Sequence, residues 1–186
     1  HRYYERSFVS LPDSRMDSYY WIQVYKLACA SQPGRPLLDN LGPWSTDTAY
    51  PFHTWDLNVQ ATHEVPFALN RAELAEPLAD FMRRRVLEAP ERTRPWAGIS
   101  HAVSFEAALD VCPTRAPSSP AAYGGSANLV WACYDLWLAY RHAQNQELAS
   151  ALLLPVLEVS VNGMIRAERL QRRPDGTYDL LHCRSP

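Results

Sequence analysis

The chain has 186 residues, 47% of them hydrophobic and 20% charged, which suits one globular domain or two small ones and excludes a disordered chain. A formal net charge of -2 leaves no basic excess to draw in a polyphosphate, so nucleic acid is not an expected partner. No stretch reaches the roughly 18 to 20 apolar residues of a membrane span. None of the four cysteines shares a CxxC pair or a short metal-ligand spacing, so neither membrane insertion nor a disulfide scaffold is expected.

Residues 17–31, DSYYWIQVYKLACAS, predict the first helix, with Tyr20, Val24, Leu27 and Ala28 at the helical period. Pro33, Gly34 and Pro36 then break it. Residues 37–55 read as an irregular loop that carries Trp44, Tyr50, Phe52, His53 and Trp55, and aromatic loops on a rigid scaffold commonly hold function. Residues 56–70, DLNVQATHEVPFALN, predict a second helix interrupted near Pro66. Asn70 with Glu73 has the spacing of a capping box and opens a third helix, residues 72–89, with Leu74, Leu78, Phe81 and Met82 on one side. Arg83, Arg84 and Arg85 are read as solvated charges near its C-terminus.

Residues 89–125 are irregular and proline-rich, with one short candidate helix at 104–109. Ser126 then caps a strong helix, ANLVWACYDLWLAYRH, whose Leu129, Ala132, Cys133, Leu136 and Tyr140 form a stripe. Residues 146–170 predict another helix, bent or divided at Pro155 and weakened at Gly163. Pro174-Asp175-Gly176 makes a turn before an extended piece at 177–182. Five or six helices without strand alternation predict an all-α fold: a bundle, a solenoid or a toroid. Tyr20, Val24, Leu27, Leu74, Leu78, Phe81, Leu129, Cys133, Leu136, Trp137 and Leu153 are the expected core, and Cys29 and Cys133 the expected buried thiols.

The densest chemistry lies in residues 52–63, FHTWDLNVQATH. Asp56 and Asn58 stand about 200° apart on a regular helix, so both face one ligand only if the backbone there is loop or first turn. An Asp at a helix mouth accepts from substrate hydroxyls or positions a water, and an Asn both donates and accepts. The plainer reading is that Asp56 caps the helix. His53 and His63 lack the HExxH arrangement, there is no GxSxG elbow and no glycine-rich phosphate loop, so no metal and no cofactor are expected. Trp44, Trp55 and Trp131 point to sugars, whose apolar faces stack on aromatic rings. Cleavage of a glycosidic bond then needs two carboxyl groups on opposite sides of it.

Residues 11–31, 40–66, 70–82 and 128–157, roughly half of the chain, resemble the catalytic domain of bacterial glycoside hydrolases related to the inverting alpha-L-fucosidases of family 95. The resemblance implies part of an (α/α)6 toroid spanning residues 1–186, with 89–125 as a divergent connecting region. It also implies a sugar pocket built from helix-connecting loops. The family's Asn-x-Asn pair after a His resembles Asp56-Leu57-Asn58 after His53, which implies that Asp56 and Asn58 position substrate and a water. Asp in place of Asn at 56 departs from strict fucosidase usage. Trp44, His53, Trp55, Asn128, Trp131 and His182 are the implied substrate-binding residues.

Residues 180–186, LLHCRSP, resemble the approach to the family's general acid, a Glu that would directly follow Pro186. The expectation is hydrolysis of a terminal alpha-L-fucoside or related sugar by inversion in a longer parent enzyme, with the isolated chain inactive. The partners implied are an oligosaccharide and the remainder of the catalytic domain, in a secreted or periplasmic setting, with a cytoplasmic one still open. Two alternatives are a non-catalytic helical carbohydrate-binding or scaffold module and a toroidal polysaccharide lyase. A cluster of Arg15, Tyr19 and His53 without a carboxylate pair would favour the lyase.

Overall fold

A computed structural model describes residues 2–38, 52–54, 57–88, 108–110, 128–166 and 170–180. Within them, five helices of seven residues or more make an all-α domain: α1 (Ser14–Ala30), α2 (Asn58–Ala68), α3 (Glu76–Met82), α4 (Asn128–Ala143) and, after the single turn α5 (Gln146–Leu148), α6 (Leu154–Arg166). Two small antiparallel ladders accompany them. Strand β1 (Phe52–Thr54) pairs with β2 (Ala108–Asp110), and β3 (Leu170–Arg172) pairs with β4 (Tyr178–Leu180). Ala108 and Leu109 are therefore extended where the end of a short helix is expected, and Leu170, expected to close the last helix, instead opens β3. No helix among the described residues is long and apolar enough to cross a membrane.

Helix α1 begins three residues earlier than its period suggests because Asp13 caps it, accepting from the amides of Arg15 at 2.8 Å and Met16 at 3.4 Å. Asp17 lies in the first turn, where a carboxylate suits the helix dipole, and accepts from the Leu11 amide at 2.9 Å. Of the residues of α1 only Val24 is buried. Tyr20 and Leu27 are half-buried and Cys29 is exposed, so the expected burial of that thiol does not hold: α1 touches the domain along a narrow line.

Asn70 does not act as a capping-box residue. Helix α2 ends in a Schellman turn, with Asn70 left-handed at φ 56°, its amide donating to the Phe67 carbonyl at 3.2 Å and the Arg71 amide donating to Pro66 at 2.8 Å. The Asn70 side chain instead donates to the Arg6 carbonyl at 2.9 Å. The next residue, Arg71, is fully buried and its guanidinium ties the N-terminal segment to this corner, donating to Leu69 O at 2.8 Å, to Ser7 Oγ at 3.2 Å and to the Tyr3 carbonyl, and lying over the Tyr3 ring. A 3-10 turn, Ala72–Ala75, leads into α3 and a π-helical turn, Arg83–Glu88, follows it. Arg83 and Arg84 are exposed and pair loosely with Asp80, while Arg85 lies half-buried against the Phe81 ring.

Helix α4 packs against α2 on one side and α6 on the other. Its Leu129, Ala132, Cys133 and Leu136 join Leu78, Met82, Val86, Leu152, Leu153 and Val156 in one core, with Phe81 and Tyr140 partly buried beside it. Trp137, expected in that core, is instead exposed. Gln144 ends α4 in the left-handed region at φ 53°, its amide donating to Tyr140 at 2.7 Å, and Asn145 caps α5 at once through the amides of Glu147 and Leu148. The π-helical turn Ala149–Leu153 ends two residues before Pro155, which has no amide to offer the preceding turn, so the helix divides there by widening. The β3–β4 turn carries Pro174, Asp175 and Gly176. Gly176 has φ 87°, and the Asp175 carboxylate accepts from the Thr177 amide and hydroxyl.

Candidate functional site

Asn58 is the first residue of α2, and Leu57 before it has left the helical region, so the Asn58 side chain sits at a loop-to-helix transition. It is exposed and lines an open groove of about 650 Å³ between α1 and α2. Gln23, Lys26 and Thr62 supply the groove's other polar side chains, and Leu27, Leu38, Leu57 and Val65 its apolar walls. Pro66 lies inside α2 and, without an amide hydrogen, cannot donate to the Thr62 carbonyl one turn earlier. Amides, an ammonium and a hydroxyl over an apolar floor match the two-sided chemistry of a sugar ring.

His53 does not line this groove. It is buried, with Nε2 at 3.1 Å from the Leu37 carbonyl and its ring edge-on to Phe81 at 5.7 Å. Trp131 lies across α2 on the α4 side, where its indole N–H donates to Glu64 Oε1 at 3.1 Å. Asn128 opens α4, and its side chain lies outside the description. Trp44, Trp55, Asp56 and His182 fall outside the described residues. The structure thus sets Asn58 on the groove side of α2, while His53 and Trp131 belong to its other, packed side.

That packed side holds two buried polar residues: His63, which the sequence offers only as a metal-ligand candidate, and Asp135, which it does not mark. His63, on α2, is 1% exposed; its Nδ1 stands 2.7 Å from the Val59 carbonyl, so Nδ1 carries the proton, and Nε2 has no partner among the described residues. Burial, and secondarily the nearby His53, lowers its pKa to about 4 despite that hydrogen bond. Asp135, on α4, is also 1% exposed, and neither of its carboxyl oxygens has a hydrogen-bond partner among the described residues. Burial, with a smaller contribution from the negative charge of Glu64, pushes Asp135 up to about 8. The α2–α4 seam therefore stores a neutral imidazole and a protonated carboxyl at neutral pH. In periodicity alone Asp135 reads as one polar position inside an apolar stripe; the signal available was that it stands between Cys133 and Leu136, both core residues.

No family model, no curated protein and no solved structure matches the chain.

Proposed function

We propose that the chain is part of the catalytic domain of an inverting glycoside hydrolase, with the groove between α1 and α2 as its sugar-binding side and Asn58 as a substrate- and water-positioning residue. The observation that carries this reading is the exposed Asn58 amide at the first residue of α2, on the wall of a groove lined by Gln23, Lys26 and Thr62 over apolar side chains. Asp56, two residues earlier, is assigned beside it by the resemblance to family 95 enzymes. The (α/α)6 toroid belongs to the same proposal: the five helices would form about half of it.

Inversion requires one carboxylic acid to protonate the leaving oxygen while a second group activates a water on the opposite face. Asp56 and Asn58 serve the water side, and the acid is assigned to the Glu expected after Pro186 in the parent enzyme. Asp135 holds a proton at neutral pH, as an acid must, but at 1% exposure it meets no substrate and is read as a seam residue. The lyase alternative loses support because Arg15 and Tyr19 are exposed on α1 whereas His53 is buried against Leu37.

The test is hydrolysis of alpha-L-fucosides and alpha-L-galactosides by the parent enzyme and by the 186-residue chain, with the anomer of the first-formed product followed by NMR. Inverted product from the parent and none from the short chain is expected. Retained configuration, or robust turnover by the short chain, would sink the assignment.

A further inference from the structure

Trp137 sits at a position that the helical period gives to the core, yet it is 38% exposed. Its ring stacks on that of Tyr134, itself 46% exposed, with centroids 5.5 Å apart and planes 26° apart. The Arg141 guanidinium carbon lies 5.0 Å from the centre of the same indole. Positions 134, 137 and 141 follow the i, i+3, i+7 spacing, so the three side chains share one face of α4, turned away from the Leu129, Ala132 and Leu136 stripe that holds the helix to the domain. A single exposed aromatic is ordinary, but a stacked pair beneath a guanidinium is a preformed surface that combines ring faces, a phenolic hydroxyl and a fork of N–H donors.

From this arrangement we propose that Tyr134, Trp137 and Arg141 form a glycan-holding platform on α4 that takes one pyranose ring of a neutral oligosaccharide. It shares no residue with the α1–α2 groove and does not depend on the glycosidase reading. The chemistry selects the ligand. An aromatic side chain has about 150–250 Å² of surface, so the exposed parts of the two rings come to roughly 200 Å². That is the scale of a sugar ring and far below the roughly 800 Å² per partner of a stable protein interface. A nucleobase would also stack, but a nucleic acid needs a row of cations for its phosphates, and the chain carries a net charge of -2. The axial C–H face of a pyranose meets the π surface, and its equatorial hydroxyls meet the Arg141 and Tyr134 donors at the rim. An exposed cation–π contact is weak, so an arriving ring displaces the guanidinium from the indole at little cost and its N–H groups turn to the hydroxyls. So few contacts set an affinity on the order of millimolar, useful for holding a polymer near the protein rather than for capturing a free monosaccharide.

The full 186-residue chain is run through native gels containing xyloglucan and titrated calorimetrically with cellohexaose and 2′-fucosyllactose. The expected result is retardation or measurable binding for at least one of these probes, reduced at least fivefold by Trp137→Ala and by Tyr134→Ser, with unchanged melting temperature and circular dichroism. Trp137→Phe, which keeps a ring, is expected to retain part of the binding, and Tyr178→Ser, at an exposed aromatic outside both the platform and the groove, all of it. Should Trp137→Ala fail to fold, Tyr134→Ser and Trp137→Phe carry the test. Absence of binding to all three probes overturns the proposal, as does equal binding by Trp137→Ala. Binding lost in Asn58→Ala but kept in Trp137→Ala would put the sugar in the groove and overturn it too. Loss of self-association on sedimentation of Trp137→Ala, with glycan binding intact, would make the face a contact between copies of the chain and equally overturn it.

Discussion

At the scale of single residues, Arg71 and Asp135 are buried polar groups of opposite character. The terminal nitrogens of Arg71 donate to carbonyls and a hydroxyl from four separate residues, Tyr3, Ser7, Leu69 and Asn70, a task that suits a planar fork of donors, while its Nε has no partner among the described residues. Arg71→Lys keeps the charge but not the fork, and is expected to destabilise the domain by about 2 to 3 kcal/mol, since hydrogen bonds to charged groups contribute about that much. Urea unfolding of the two proteins measures it, and an unchanged midpoint would contradict the hub role. Asp135 predicts a pH dependence. Its pKa is raised from 3.8 to about 8, so the stability tied to its neutral form is complete below pH 3.8 and is lost as pH rises to about 8. His63 is lowered from 6.5 to about 4, so its contribution is complete above 6.5 and is lost as pH falls to about 4. Between the two lower limits and pH 6.5 the slopes oppose and nearly cancel. Above 6.5 only Asp135 acts, and stability is expected to fall by about 2 kcal/mol up to pH 8, at about 1.4 kcal/mol per unit. Asp135→Asn should abolish that fall and leave stability rising from pH 4 to 6.5. A parallel pH profile for the two proteins would contradict the assignment.

At the scale of elements, the helices were legible because their apolar stripes follow the helical period, and α4 buries the Leu129, Ala132, Cys133 and Leu136 stripe that its sequence displays. Their ends were less so. Asn-x-x-Glu at 70–73 has the spacing of a capping box, but Asn also tolerates the left-handed region, and the preceding helix uses it as its stop. Both chemistries are local to one residue type, and only the path of the chain after α2 decides between them. Asn70→Gly is therefore expected to match or exceed the native stability, while Asn70→Ala should cost about 1 kcal/mol from the left-handed strain. Thermal unfolding distinguishes this from a capping role, in which Ala would again be costly but Gly only mildly so and Asn70→Ser nearly neutral. Trp137 shows the opposite limit: its period matches the core, but a helix buries only as wide a stripe as its neighbours cover. Residues 108–110 gave no signal because three residues are too few for alternation to appear.

At the scale of the whole molecule, Leu136 sits where α4 meets the rest of the core, and Leu136→Ala is expected to cost about 2 to 5 kcal/mol. A loss well under that range on denaturant unfolding would mean that α4 is not the centre of the packing. The candidate site was legible only in part. Asn58 was reachable from its place after an aromatic loop and before a helix, and it lines the groove. His53, from the same segment, turns to the packed side because its ring bonds the Leu37 carbonyl, a partner sixteen residues away that no local pattern announces. Asp135 was missed because burial of a carboxyl is a property of the assembled seam between α2 and α4.

The central claim is that the Asn58 groove positions the sugar and the attacking water. Its most direct test is kcat/KM of the parent enzyme and its Asn58→Ala variant on an alpha-L-fucoside, read beside the melting temperature of each. An exposed side chain at the first residue of a helix contributes little to packing, so the melting temperature should stay within a few degrees. Loss of a group that positions the nucleophile should lower kcat/KM by about a hundredfold or more. Unchanged kcat/KM, or a loss of activity that merely tracks a large fall in melting temperature, would contradict the account.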